Sequence, residues 1–413
     1  MNFFARYKKL FLIFGFVVLV CILAYLIWQV FFSVNVLGPV ATSTPTNIGG
    51  LPTAEPGDNT GGPSDQPGSL PGSTNNSGAP GANTPSAVAT GGLTKTATIV
   101  KTPSLDPTLS SNGGIQYYNQ NDGIFYMVDK NGNIIKLSDK VFFNVENVVW
   151  APDKNQAILE YPDGNKILYN FEKEQQVTLP AHWEDFSFSP ASDQIVAKSI
   201  GLDPENRWLS IAQADGSQAQ NLENIGNNGD TVYDNWSPNQ QIVAMYTKGL
   251  DFDRQEVYFV GLNNENFKST IIEGRGFQPQ WSTTGDRLLY SVYNSSDNLN
   301  PKLWIVDSSG DTISQNRTSL GLATWADKCT FASNTEVYCA VPENLPRGAG
   351  LFPELADQTK DNLYKINLTT GAQELIAVPD GAYNVSQIMV PTDGNYLYFS
   401  DKQSKQIYQI RLH

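Results

Sequence analysis

The sequence predicts an all-β chain folded as a seven-bladed β-propeller with four-stranded blades, preceded by one N-terminal transmembrane helix and a disordered linker. Three observations carry this reading. Past residue 114 a short apolar run recurs seven times, at intervals of 41 to 60 residues; an aromatic residue followed by a turn precedes most of these runs; and residues 1–93 show neither feature.

The N-terminal elements follow from composition. Residues 1–9 hold Arg6, Lys8 and Lys9 and form a basic cytoplasmic end. The run LFLIFGFVVLVCILAYLIWQVFF that follows has Gln29 as its one strongly polar side chain. At about 1.5 Å per residue it matches a hydrocarbon core of roughly 30 Å, so 10–33 is read as the transmembrane helix. No Lys or Arg follows until Lys95, which places the N-terminus in the cytoplasm and the remainder outside. A cleaved signal peptide would have a shorter apolar stretch and a small-x-small site. Residues 34–93 are rich in Gly, Pro, Ser, Thr and Asn. Such a stretch buries too little apolar surface to fold, and reaches on the order of 40 Å as a flexible tether.

Residues 94–413 form the propeller. The seven runs are IFYMVD (124–129), ILYNFE (167–172), WLSIAQ (208–213), VYFVGL (257–262), LWIVDS (303–308), LYKINL (363–368) and IYQIRL (407–412). The aromatic-plus-turn landmark appears at Trp150-Ala-Pro-Asp, Phe188-Ser-Pro-Ala, Trp236-Ser-Pro-Asn, Trp281-Ser-Thr-Thr and Trp325-Ala-Asp, and weakly at Met389-Val-Pro. A strand such as QAILEY, QIVAMY or YLYFSD follows each landmark, and an outer strand (IIKL, QVTL, AQNL, STII, DTIS, QELI) follows each of the first six runs. Four short strands per unit of about 44 residues marks a propeller blade. The last unit lacks an outer strand, and ATIVK (97–101) has the β-branched composition to supply it, closing the ring and removing an exposed edge.

The W-S-P-(D/N) landmark followed by an LY/LW-hydrophobic run resembles the WD40-like PD40 repeats of TolB-like bacterial β-propellers, over about residues 95–413. The resemblance implies an envelope protein that binds proteins or peptides. The anchor and tether stand where TolB itself has a separate N-terminal domain, so TolB's own partner is not implied.

Charge and motifs narrow the function. The net charge is −14, and residues 115–413 hold 37 acids against 22 bases, which argues against nucleic acid. Two histidines, one of them His413, leave little for zinc sites or a Ser-His-Asp triad. No G-x-S-x-G elbow, P-loop or dinucleotide fingerprint occurs. No cofactor is expected, and the chain is read as a non-enzyme. Cys329 and Cys339 flank the turn between two neighbouring strands, outside the membrane, and are expected to form a disulfide.

Loops between second and third strands lengthen along the chain, ending in PENLPRGAGLFPELADQTKD (342–361). In a propeller these loops share one face with the approaches to the inner strands. Asp251, Asp253 and Asp357 on this face would attract a basic partner or a divalent cation. The approaches add His182, Trp183, Glu184, Tyr233, Arg275, Phe277 and Tyr383, a set suited to peptide or glycan contact. The function expected is that of a single-pass, extracytoplasmic protein- or peptide-binding module of the cell envelope. The alternative is a lectin or hydrolase acting on a glycan or envelope polymer through the same face.

Overall fold

The computed structural model of the chain describes residues 18–23, 25, 84–263 and 265–413. Residues 18–23 and 25 are helical and exposed, and among the described residues no helix is long and apolar enough to cross a membrane. The rest of the expected span, and the linker up to residue 83, lie outside the described residues.

Seven four-stranded antiparallel units follow one another as the repeat predicts. Blade 1 takes residues 104–136, blade 2 147–179, blade 3 183–224, blade 4 232–273, blade 5 275–319, blade 6 329–379 and blade 7 385–411. Strand order within each blade runs in sequence from the inner to the outer edge. Blade 7 has three strands of its own, and Ala97–Val100 pairs antiparallel with Ile407–Arg411 as its fourth.

No single core exists. Among the described residues the buried apolar side chains fall into seven clusters that each span two neighbouring blades, and a small eighth beneath the long loop of blade 6. Tyr118, Phe125, Val148 and Tyr169 join blades 1 and 2, and Val100, Ile115, Met389 and Ile407 join blade 7 back to blade 1. The landmark aromatics work at these seams. Trp150 stacks on Phe171 of its own blade and meets Phe125 of blade 1 edge-on at 5.5 Å, while its Nε1–H donates to the Asp106 carbonyl at 2.8 Å. Trp281 repeats the bond at the blade 4–5 seam, donating to the Asn235 carbonyl at 2.9 Å.

Three details differ from the sequence reading. Trp325 is not the landmark of blade 6. It precedes the inner strand and packs with Ala349 and Ala356 beneath the long 342–361 loop, while Phe331 lies on the inner strand, Cys329–Ser333. DTIS is not the outer strand of blade 5: Ile313 turns inward into the blade 4–5 seam, and Thr318–Ser319 forms the ladder instead. Order also begins before residue 94. Leu93–Thr94 pairs in parallel with Val378 and Pro379 on the outer edge of blade 6, and the Gly91 N–H donates to the Ile376 carbonyl. Covering an otherwise unpaired strand edge gives this polar stretch its hydrogen bonds. Gly91 has φ +84, and a Cβ there would meet the Leu375 carbonyl at 2.9 Å, so glycine is required.

Cys329 and Cys339 face each other across the first two strands of blade 6, with Cα atoms 4.0 Å apart, and form a disulfide. The C329A/C339A variant is expected to lose about 2–4 kcal/mol of stability, measured by calorimetry. An unchanged melting transition would show that the crosslink contributes nothing.

Candidate functional site

Because each blade runs up and down, the loops between second and third strands gather at one end of the ring, together with the approaches to the inner strands. On blades 4 to 7 these loops are joined to one another. Ser295 of blade 5 donates its N–H and Oγ–H to the two carboxylate oxygens of Asp253 on blade 4, at 2.7 and 2.6 Å. The N–H groups of Gly348 and Gly350 on blade 6 donate to the carbonyls of Asn298 and Leu299 on blade 5. A Cβ on Gly350 would lie 2.8 Å from the Leu299 oxygen and 2.6 Å from the Tyr293 Cβ, so this close approach admits glycine alone. Lys402 of blade 7 pairs with Asp357 of blade 6 at 2.5 Å, and Gln403 donates to the Asp357 carbonyl. The result is a collar of interlocked loops.

Beneath the collar, blades 6 and 7 share a buried polar network. The Lys328 ammonium bonds Asp361 at 2.8 Å and the Asn384 side-chain oxygen at 3.0 Å, and Asp361 also accepts the Val385 N–H. Asn384 in turn donates to the Ala356 carbonyl inside the long loop and, through its backbone, to Asp401. The loop is therefore held from below as well as from its sides.

The ten residues singled out from sequence do not form one cluster. Trp183 and Phe277 are buried in the blade seams, and Tyr383 meets Phe399 edge-on and Tyr408 at a tilt, with its hydroxyl on Thr96. Tyr233 meets Phe277 edge-on at 5.4 Å, and burial raises its hydroxyl above the ordinary value. These aromatics fill the structure. Arg275 donates to the Asp251 carbonyl, and Asp251 pairs with Arg254, whose side chain holds its carboxyl below the usual range. His182 is exposed, and no hydrogen bond joins it to the exposed Glu184. Asp253 and Asp357 serve as collar joints. Among the described residues no three His, Cys, Asp or Glu side chains converge as metal ligands would.

Glu184 apart, the carboxylates on and beside the inner strands were not singled out from sequence. Around the axis, a cavity of about 730 Å³ is lined by Glu184, Asp185, Asp230, Asp234, Lys198 and Arg207, among others. Lys198 pairs with Asp185 at 2.7 Å, while both carboxylate oxygens of Asp234 are buried without a hydrogen-bond partner. Burial pushes the Asp234 carboxyl well above its usual range. A second hollow of about 460 Å³ is lined by Asp106, Asp327, Asp401 and Lys405. Asp106 and Asp185 sit where the inner strand bulges, with φ of 43° and 50°. The available signal was an acid inside an apolar inner-strand run, as in SLDP, WEDF and VYDNW.

Fold and loop face together define a seven-bladed propeller with a built, acidic loop end. No family model matches the chain, and no curated protein matches it in sequence. Solved structures match it in fold. The β-propeller domain of Cps50 (Swd1) from Myceliophteria thermophila aligns over 77% of this chain and all of its own length, at 12% identity and a TM-score of 0.51. An oligogalacturonate lyase in complex with manganese aligns over 79% of this chain and 99% of its own, at 11% identity and a TM-score of 0.45. The tricorn protease aligns over 77% of this chain and 34% of its own, at 11% identity and a TM-score of 0.49. At such identities the likeness is one of fold alone.

Asp106 makes pH a probe of the blade 1–2 seam. Burial raises its carboxyl to about 6 from an ordinary 3.8, although it accepts the Val148 N–H at 2.7 Å. The folded state therefore holds this proton more tightly than the unfolded chain, and stability falls as pH rises from about 4 to about 6. D106N, which tolerates the positive φ and keeps an acceptor, is expected to raise stability at pH 7.5 by up to about 3 kcal/mol. Below pH 4 it should change nothing. Melting curves at both pH values decide; an equal shift at each would assign the effect to packing.

Proposed function

We propose that this chain is a membrane-tethered, extracytoplasmic propeller that binds a protein or peptide partner through its long-loop face, without catalysis, in the manner of TolB-like envelope proteins. The collar carries this reading. Four neighbouring loops locked by hydrogen bonds form a surface whose shape is set before a partner arrives, which removes much of the ordering cost of association. Variable loops on a rigid scaffold are where binding residues concentrate. The apolar run at 10–32 behind three basic residues supports the anchor, and the disulfide supports an oxidising compartment. The W-S-P-(D/N) landmarks support the TolB-like affiliation.

The test is photocrosslinking in the host cell, with p-benzoylphenylalanine at Phe352 on the collar and at Thr392 on a hairpin of the opposite end. Protein adducts are expected from position 352 and not from 392. Adducts from neither position, or from 392 alone, would overturn the docking reading. Alkaline extraction of membranes checks the tether: the full-length chain should stay in the pellet, and its release to the supernatant would remove the anchor.

A further inference from the structure

The collar is not uniformly polar. Leu202 on the blade 3 loop is 98% exposed, Phe252 on blade 4 is 63% exposed and Phe352 on blade 6 is 52% exposed, with Leu351 and Leu355 beside the last also exposed. Single exposed apolar residues are ordinary, but a group of them on one face of a soluble domain marks an interaction surface. Here their backbones have no freedom to fold them away. Phe252 stands between Asp251, tied to Arg254 and Arg275, and Asp253, tied to Ser295. Leu351 and Phe352 follow directly on Gly350, whose N–H is fixed to blade 5, and Arg207 donates to the carbonyl of Leu202.

Charge selects the occupant. The loops at 201–206, 250–253 and 294–300 carry Asp203, Glu205, Asp251, Asp253 and Asp297, of which Asp251 and Asp297 are paired with Arg254 and Lys302. The 342–361 loop adds Glu343, Glu354, Asp357 and Asp361 against Arg347 and Lys360, so acids outnumber bases across the face. Asp203 and Glu205, beside Leu202, make no ion pair, and the axial cavity nearby adds Glu184 and Asp230. A second copy docked through this face would oppose acid to acid, and an anionic lipid surface would be repelled in the same way. We infer that the long-loop face receives a segment of another protein in which Lys or Arg side chains alternate with bulky apolar ones. The apolar groups seat against Leu202, Phe252 and Phe352, and the cations face the loop carboxylates. This inference rests on the protein-binding reading above and names the partner's chemistry.

The experiment uses the full-length chain and three fluorescein-labelled peptides, read by fluorescence anisotropy. One alternates Lys with Leu and Phe, one has Glu for Lys, and one has Ser for Leu and Phe. The Lys/Leu/Phe peptide is expected to bind, with affinity falling as salt rises, and the other two at least tenfold more weakly. The charge-neutral variant L202S/F252S/F352S should lose tenfold or more in affinity at an unchanged melting temperature. D203N/E205Q should lose severalfold, and I134S/I135S, exposed on the outer strand of blade 1, should lose nothing. Equal binding of the Lys and Glu peptides, no effect of the triple variant, or no binding at all would overturn the inference. The crosslinking outcome at Phe352 is independent of peptide composition, so it separates a wrong partner chemistry from a wrong docking face.

Discussion

The structure depends on face-to-face packing of neighbouring blades. A four-stranded sheet with apolar residues on both faces has no stable exposed form, and only a closed ring buries every face. Each seam here holds its own cluster of buried aliphatic and aromatic side chains, from Phe125 and Tyr169 at blades 1–2 to Phe399 and Tyr408 at blades 6–7. The tryptophans add direction to this packing. Trp150 and Trp281 each present a ring to the seam and bond a backbone carbonyl of the preceding blade, which fixes how far one sheet rotates on the next. Closure then becomes a requirement, which the pairing of Ala97–Val100 with the C-terminal strand meets.

A ring held at its seams leaves its ends free of packing duty. At the axis, inner strands are too crowded to pair regularly, and several bulge: between Leu105 and Thr108, Glu184 and Ser187, and Arg275 and Gln278. A bulge re-aims the side chain at its apex, and two of the three apices carry an aspartate in left-handed backbone. The acids around the axis are thus a consequence of ring geometry acting on a few sequence positions. At the loop end, the same rigidity lets loops of neighbouring blades meet at fixed distances, so single bonds such as Ser295 to Asp253 suffice to lock them.

The parts legible in the sequence were those governed by local pattern. Trp150, Trp236 and Trp281 sit before Pro or Gly turns, and strand alternation follows them, so blade number and strand order could be read directly. Trp325 lacked such a turn, and its role was settled by a loop that begins 17 residues later, through contacts that no window reveals. Residues 84–94 have the composition of a tether, yet Gly91–Thr94 bond along the outer edge of blade 6, and the Ala89 N–H donates to the Arg411 carbonyl of blade 7. The candidate site was legible as a face and not as a set of residues. Trp183, Phe277 and Tyr383 have the side chains of a binding surface, but a position one residue along a strand decides between seam and solvent. Asp234, on an inner strand, and Lys328, on the turn before one, were hidden because nothing in a short local window tells that a polar residue turns inward.

Reinforcement is uneven around the ring, and its distribution follows the load. Blade 6 carries the long 342–361 loop, and beside it lies the joint in blade 7 where Ala97–Val100 meets Ile407–Arg411 to close the ring. Both features invite opening, the loop by its ordering entropy and the joint by its lack of a continuous chain. The same two blades hold the disulfide across Cys329 and Cys339, the buried Lys328–Asp361–Asn384 network, and both N-terminal strands, Leu93–Thr94 on blade 6 and Ala97–Val100 on blade 7. A buried ion pair adds little net stability against an apolar substitute, but it is costly to break by halves, so it favours one arrangement of loop and joint over near alternatives. Covalent, ionic and ladder bonds therefore converge beneath the loop that carries Leu351, Phe352 and Leu355. The exposed apolar side chains of this loop thus stand on the most heavily bonded part of the ring.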